Sequence, residues 1–334
     1  MRRVAAVGVL HLCAAGCEYE QAWGAFRHTG NVTAWDPNGE WQWAPLDGAC
    51  AVEDLVGALA SGDRPAWLRN TESVVLVGDS VDRFTVGDFC AEARAAVASD
   101  WRPLAAPDDL ATNSTSRKDV QFVGCARGVR GRDLFSVDHV KIFGLVEPCN
   151  PTMLEKIKPV MPNARERILA YVGRREVPPT LVVLHSCLWD LSVPCTTERR
   201  PTADFARAYE AEAYATTAAL RAALPHAQIL WRTCPPVSRE TDGKTGSTRS
   251  RQGQVVLNQA LRRAVARLHR DGVVAAASPV AWDLMMLTAW DRMDETGQNP
   301  DGRHFTPPAR LAYVNLVLNV LRDAREHPRK GPRP

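Results

Sequence analysis

The chain alternates between short apolar runs and longer segments whose apolar residues recur every three or four positions. Five runs have the length and apolar content of buried strands: "SVVLVG" (73–78), "VKIFG" (140–144), "TLVVLHS" (180–186), "QILWRT" (228–233) and "VVAAAS" (273–278). Segments with helical spacing lie between or after them, at 205–224, 255–270 and 307–327. This alternation predicts an α/β fold, a three-layer α/β/α sandwich around a mostly parallel sheet.

The two ends of the chain break this pattern. Residues 1–16 combine two arginines, an apolar run and a small-residue stretch, which predicts a signal peptide, with a buried first strand as the alternative. Residues 17–50 are rich in tryptophan and poor in periodicity, which indicates an irregular segment held by packed indoles. Cys17 and Cys50 are a candidate disulfide pair for this segment. The basic tail 327–334 is expected to be disordered, so residues 17–326 form one predicted domain.

Composition bears mainly on the cellular compartment. The formal net charge of +3 is too small to favour nucleic acid or an acidic membrane as a partner. Of nine cysteines, eight remain once Cys13 leaves with the signal peptide, an even number that suits disulfides. Asn31 in "NVT" and Asn113 in "NST" are acceptors for N-glycosylation. Together these features predict the secretory pathway, in the Golgi lumen or outside the cell, with no stable membrane span after signal removal.

The first predicted strand ends in Gly78-Asp79-Ser80, and this junction is the first candidate for chemistry. Glycine permits a tight turn there and leaves backbone N–H groups open to an anion. A helix that begins near Val81 would place Ser80 at its N-terminus, where the helix dipole favours a developing negative charge. The residues allow two interpretations: Ser80 is a nucleophile, or Ser80 or Asp79 is an ordinary helix N-cap.

A serine nucleophile needs a base, and the base needs an acid that orients it. Asp301 and His304 stand three residues apart in "GQNPDGRHFTPP", a loop directly before the last predicted helix. That spacing lets one turn bring the carboxylate near the imidazole, so His304 is the candidate base and Asp301 its candidate partner. His139 and His185 lie in or beside predicted strands, and both are expected to be packing or supporting residues.

A third polar stretch, "LHSCLWDLS" at 184–192, closes another predicted strand. Functional residues of open parallel sheets gather at the carboxyl ends of the strands. Trp189 and Asp190 are therefore candidates for shaping an acyl pocket or an oxyanion site. Asp190 has an equally simple alternative, which is to hold a loop in place.

These motifs together resemble the SGNH (GDSL-type) hydrolase superfamily, in which a serine follows a strand in a GDS motif and a DxxH motif precedes the last helix. "GDSVDR" (78–83) matches the GDSxxR form of the PC-esterase and trichome-birefringence-like group. Arg83 is the residue that narrows the resemblance from the whole superfamily to this group. The Cys/Trp-rich segment 17–50 and "SCLWDLS" are similar to blocks of that group. The resemblance spans roughly residues 17–325 through short, separated motifs.

The resemblance implies a five-stranded, mostly parallel, flavodoxin-like sheet. It also implies a triad of nucleophile, general base and orienting acid, which falls on Ser80, His304 and Asp301. The other motif residues, which would be structural or near the site, are Gly78, Asp79 and Arg83.

The oxyanion hole that the resemblance implies is the least complete part of the site. The backbone N–H of Ser80 would be one donor, and the glycine of the second block is either Gly144 or Gly124. The remaining donor of the superfamily is an asparagine, and at the corresponding position this sequence has Trp189, next to Asp190. Losing one such donor typically lowers the rate about a hundredfold or more.

The implied activity is that of a serine acyl esterase or O-acetyltransferase acting on glycans or on another acylated small molecule or polymer. This chemistry needs no cofactor and no metal ion. One alternative is a catalytically inactive PC-esterase-like domain that binds glycans or proteins. Another is a phosphate- or nucleotide-binding protein that uses "LVGDS" as an anion loop, but neither GxxxxGK[ST] nor GxGxxG follows the first strand.

Overall fold

The computed structural model describes residues 24–28, 41–45, 53–60, 68, 71–96, 100–107, 121–129, 132–146, 163–192, 201–235, 251–280 and 304–326. The strands in these ranges are β1 (Gly24–His28), β2 (Trp41–Pro45), β3 (Glu72–Gly78), β4 (Trp101–Pro103), β5 (Phe122–Val129), β6 (Arg132–Lys141), β7 (Leu181–Leu184) and β8 (Gln228–Trp231). The α-helices are α1 (Leu55–Ala60), α2 (Ser80–Ala96), α3 (Ala164–Gly173), α4 (Ala203–Ala223), α5 (Arg251–Arg270) and α6 (Pro307–Glu326).

The central sheet has six strands in the order β4-β5-β6-β3-β7-β8. Strands β6, β3, β7 and β8 run parallel, while β4 and β5 continue the sheet in antiparallel fashion. All seven residues of β3 are buried, as expected for a strand covered on both faces. Helices flank the sheet: α1, α2 and α6 pack against one another, and α4 packs against α3 and α5. The α/β sandwich that the hydrophobic pattern predicts is therefore confirmed.

The order of the parallel strands decides where a site can form. After β3 the chain adds β6 on one side and then β7 on the other, and Val280 makes a further parallel bridge to Arg232 beyond β8. Without the antiparallel strands this is the flavodoxin-like order 2-1-3-4-5. Its crevice lies at the carboxyl end of the first strand, which here is the end of β3.

The structure differs from the predicted strands in three places. The run at 140–144 is only the end of β6 and the turn after it, because the strand stops at Lys141. The run at 273–278 is not a strand, since the N–H of Val273 bonds back to the carbonyl of Leu268 in α5. The hydrophobic pattern also does not predict β4 and β5. With the run at 273–278 absent from the sheet and these two strands added, the sheet has six strands where five were predicted.

The described parts of the segment 17–50 also depart from the expectation. Its two strands, β1 and β2, pair in antiparallel fashion with His28 opposite Trp41, where an irregular segment was predicted. Trp41, Gln42 and Trp43 alternate aromatic and polar residues, a period that suits a strand. The predicted signal peptide, the Cys17–Cys50 bridge and the basic tail lie outside the described residues.

An α-helix that crosses a membrane has to be both long and apolar. None of the helices in the described ranges meets both conditions.

Candidate active site

The turn between β3 and α2 has its own helix cap. The side-chain Oδ1 of Asp79 accepts a hydrogen bond from the N–H of Val81 at 2.8 Å, and the Asp79 carbonyl accepts one from the N–H of Arg83 at 3.2 Å. A side chain that accepts from an N–H of the first turn performs the N-cap function. Asp79 therefore caps α2, which leaves the hydroxyl of Ser80 available for other contacts.

Ser80 and His304 are in contact although 224 positions separate them in the chain. Ser80 Oγ lies 2.7 Å from His304 Nε2, and both residues are half-buried. Ser80 is the first residue of α2, and His304 lies three residues before the start of α6. The contact thus joins the carboxyl end of the central strand to the loop before the last helix.

An aromatic ring supports this contact from the side. Phe84 meets the imidazole of His304 edge-on, with ring centroids 4.9 Å apart. The guanidinium carbon of Arg83 lies 4.8 Å from the centroid of the Phe84 ring, and that of Arg310 in α6 lies 5.3 Å from it. Arg83, itself buried, therefore reaches the neighbourhood of His304 through Phe84.

Three of the predicted site residues lie outside the described residues. They are Asp301, Asn31 and Asn113. The orientation of His304 by Asp301 and the two glycosylation sites remain predictions.

The two glycines considered for the oxyanion site have different surroundings. Gly144 has a φ of +100°, a conformation that favours glycine, and it follows β6, a direct neighbour of β3. Gly124 lies within β5 opposite Asp138, and a Cβ there would stand 2.6 Å from the Cβ of Asp138. The position of Gly144 beyond the carboxyl end of a parallel strand suits a site, whereas Gly124 serves close packing inside the sheet.

Asp190 holds the loop that contains Gly144. Its Oδ1 accepts hydrogen bonds from the N–H groups of Leu145 at 2.9 Å and Val146 at 3.1 Å, and its Oδ2 accepts one from the hydroxyl of Ser186. A Cβ on Gly144 would lie 3.0 Å from Asp190 Oδ1. The carboxylate thus ties the loop after β6 to the loop after β7.

Trp189 is half-buried and lies against the loop after β6. Its ring meets that of Phe143 edge-on, with centroids 4.8 Å apart. The Nζ of Lys141 lies 4.5 Å from the centroid of the Phe143 ring. Trp189 therefore contributes aromatic surface next to the Gly144 loop.

Replacing Asp190 with asparagine is expected to change how stability depends on pH. Burial raises the pKa of Asp190 from 3.8 to about 6, despite the hydrogen bonds from Ser186, Val146 and Leu145. Between pH 4 and pH 6 the folded protein keeps a proton that the unfolded chain has lost, so this group makes stability fall as pH rises. The total change is on the order of 2–3 kcal/mol.

Urea denaturation of wild type and Asp190→Asn at pH 4, 5, 6 and 7 measures this effect. The free energy of unfolding of the variant minus that of wild type should rise across pH 4–6 and then level off. Taking the difference removes other titrating groups, including His139, whose pKa burial lowers to about 4. A difference that stays constant over this range contradicts the raised pKa.

A buried ionic cluster, which sequence reasoning missed, lies beside the nucleophile turn. Arg232 makes two bonds to Asp82, from Nε to Oδ1 at 3.0 Å and from Nη2 to Oδ2 at 2.7 Å. His185 Nδ1 lies 2.8 Å from Arg232 Nη2 and 2.9 Å from Asp82 Oδ2. All three side chains are at most 1% exposed. A faint signal exists in the sequence, because His185 and Arg232 each directly follow an apolar run.

Asp82 is held in its charged form by this cluster. Burial by itself would raise the pKa of Asp82, but Arg232 and His185 hold it well below its ordinary value. Asp79, Asp82 and His185 have ligand atoms close enough together for a cation. The guanidinium of Arg232 already bonds to Asp82, lies 2.8 Å from His185 Nδ1 and supplies the positive charge, so the group does not suit a metal ion.

No protein-family profile and no curated protein matches the sequence. Among solved structures, the chain is similar to a protein described as a GDSL-like lipase from Parabacteroides merdae ATCC 43184, with 12% identity and a TM-score of 0.39 over 76% of this chain and 99% of that one. It is also similar to a peptidoglycan O-acetylesterase, with 15% identity and a TM-score of 0.41 over 80% and 94% of the two chains. A carbohydrate esterase of family 2 with its carbohydrate-binding domain, from Corynascus thermopiles (Myceliophthora fergusii), aligns with 14% identity and a TM-score of 0.40 over 86% of this chain and 71% of its own. Similarity at this level does not decide the chemistry of this chain, which has to follow from its own side chains.

Proposed function

We propose that this protein is a serine acyl esterase or O-acyltransferase of the SGNH type. The observation that carries the proposal is the 2.7 Å contact between Ser80 Oγ and His304 Nε2 at the N-terminus of α2. A hydroxyl bonded to an imidazole is the arrangement in which histidine activates serine as a nucleophile. Asp79 supplies the helix cap, which supports a different role for Ser80.

The reaction follows from these two side chains. His304 Nε2 takes the proton of the Ser80 hydroxyl as Oγ bonds to the carbonyl carbon of an ester. The tetrahedral intermediate expels the alcohol, which receives that proton from His304, and an acyl-Ser80 ester remains. In the second half His304 takes a proton from water or from an acceptor hydroxyl as the oxygen of that molecule bonds to the acyl carbon. The bond between the acyl carbon and Ser80 Oγ then breaks, Oγ regains a proton from His304, and the free acid or a new ester leaves. Hydrolysis and transfer use the same residues.

The negative oxygen of the intermediate needs donors at the same edge of the sheet. In this proposal the N–H of Ser80, at the positive end of the α2 dipole, is one donor. The loop that contains Gly144 supplies the other, and Asp190 keeps that loop in place. Asp301 orients His304, as the DxxH motif implies.

The finer assignment concerns substrate and compartment. We infer an acyl ester of a glycan, most simply an acetyl ester, because the GDSxxR and DxxH motifs resemble the PC-esterase group. Two disulfides, Cys90–Cys125 and Cys187–Cys234, suit a secreted or lumenal protein, where such bonds persist.

Covalent labelling tests the proposal. A fluorophosphonate probe should add to wild-type protein in a 1:1 ratio, with the adduct on the peptide that contains Ser80, as read by intact-mass and peptide mass spectrometry. Ser80→Ala should not be labelled. Ser278→Ala, which changes another half-buried serine, should be labelled like wild type.

Two outcomes contradict the assignment. Labelling that persists in Ser80→Ala places the nucleophile elsewhere. A folded wild-type protein that takes up no probe favours the inactive glycan- or protein-binding domain instead.

A further inference from the structure

We infer that Arg232, together with Asp82 and His185, positions Ser80 for attack by fixing the turn that carries it relative to the helix that follows His304. These are positioning residues, since none of them is placed against the reacting atoms. The inference rests on the proposed function, in which Ser80 is the nucleophile and His304 the base.

The cluster gathers the ends of three different elements. Asp82 belongs to the first turn of α2, His185 follows β7 and Arg232 follows β8. Arg232 is fully buried and binds both oxygens of Asp82, so its planar fork sets the angle of the carboxylate as well as its distance. A lysine cannot reproduce that geometry.

The carboxylate of Asp82 folds back onto the turn before Ser80. A Cβ on Gly78 would lie only 1.9 Å from Asp82 Oδ2, so this oxygen packs directly against the Gly78 backbone. The carbonyl of Gly78 accepts from the N–H of Ile142 at 2.7 Å and faces His139 Nε2 at 3.3 Å. Asp79, which lies between Gly78 and Ser80, caps the helix. The backbone on both sides of Ser80 is thus held, while its side chain faces His304.

The same cluster reaches the helix that follows the base. The guanidinium carbon of Arg232 lies 5.4 Å from the centroid of the Tyr313 ring, and Tyr313 is a fully buried residue of α6. His304 stands three residues before that helix. Arg232 therefore links the helix that begins at Ser80, through Asp82, to the helix that follows His304, through Tyr313.

Burial of an ion pair has a consequence for the design of the test. Removing one partner leaves an uncompensated charge in the core and endangers the fold, whereas replacing both partners with apolar residues of similar volume is often neutral. The informative variant is therefore the double change Asp82→Leu/Arg232→Met.

A matched control exists in the same sheet. Asp138 in β6 and Arg175 before β7 form another buried pair, with Arg175 Nη1 2.5 Å from Asp138 Oδ2. The double change Asp138→Leu/Arg175→Met removes one negative and one positive charge, as the test variant does. It also leaves the Tyr171 hydroxyl without its bonds to this pair, just as the test variant leaves His185 without its contacts to Asp82 and Arg232. Within the described residues, the side-chain hydrogen bonds of this pair go to Tyr171, Ser73, Ser136 and Val177 and not to residues 78–82, so the two double variants share only general effects on the fold.

The expected result is a split between turnover and binding. With p-nitrophenyl acetate, Asp82→Leu/Arg232→Met should fold, as judged by circular dichroism, and should lose about 100-fold in kcat with little change in KM, because a displacement of about 1 Å at the reacting atoms costs that much. The control pair should keep kcat within about threefold of wild type. A folded test variant with wild-type kcat overturns the inference.

Arg232→Lys decides the question if the double variant fails to fold. It keeps the positive charge and loses the two-pronged bond, so it should fold and lose about tenfold in kcat with KM unchanged. Wild-type kcat in a folded Arg232→Lys protein contradicts the inference.

A crystal structure of Arg232→Lys separates this inference from the proposed function. If wild type neither turns over the ester nor takes up the phosphonate probe, the proposed function fails. The positioning role is then judged by the separation of Ser80 Oγ and His304 Nε2. A separation still at 2.7 Å in the variant refutes it, and one longer by about 1 Å supports it.

Discussion

Ser80→Ala is expected to lower kcat/KM for p-nitrophenyl acetate by about 10⁴-fold or more, with an unchanged circular dichroism spectrum and thermal midpoint. The loss is that large because the serine oxygen forms the covalent bond, and no neighbouring group replaces it. His304→Ala should cost a similar factor, since it removes the base that lies 2.7 Å from Ser80 Oγ. Steady-state kinetics on purified variants measures both losses.

The double variant supplies the control. Residues that act as one unit are not additive, so Ser80→Ala/His304→Ala should be no slower than either single variant. Two losses that multiply would mean that the residues act in separate steps. That result contradicts the pairing of nucleophile and base.

Gly78→Ala is expected to destabilise the protein by about 3 kcal/mol and to reduce turnover as well. The new methyl would lie 1.9 Å from Asp82 Oδ2, and that oxygen cannot swing away without breaking its bonds to Arg232 and its contact with His185. Urea denaturation and ester hydrolysis measure the two effects.

Gly87→Ala is the matched control within the next helix. A Cβ on Gly87 has nothing within 4 Å, so alanine there should stabilise α2 by about 0.5–1 kcal/mol and leave kcat unchanged. Equal stability of Gly78→Ala and wild type would show that the Asp82 carboxylate moves freely, against the packing described above.

Local patterns predict the parts of this molecule that depend on neighbouring residues. Apolar runs gave β3, β7 and β8 to within three residues at either end, because buried parallel strands are continuous in hydrophobicity. The GDS and DxxH motifs singled out Ser80 and His304, which lie in contact. The antiparallel strand β5 has no such signal, because "FVGCARGV" mixes glycine and arginine with its apolar residues.

Contacts between distant residues were beyond prediction from one sequence. Asp82 is separated by 150 positions from Arg232, and Asp190 by 44 from Val146, so no local spacing indicates either bond. Asp79 and Ser80 were both plausible helix caps from residue type alone. Only the hydrogen bond from the Val81 N–H to the Asp79 side chain shows which of them caps the helix.

The disulfide between Cys187 and Cys234 has a practical consequence for making this protein. Cys187 comes two residues after His185, and Cys234 comes two residues after Arg232. The bond therefore links covalently the two loops that contribute His185 and Arg232 to the buried cluster. Removing a native disulfide typically costs about 2–5 kcal/mol. A recombinant host that produces the chain in a reducing cytosol would leave these loops unlinked, so an oxidising secretory route is the appropriate source of material for every assay above.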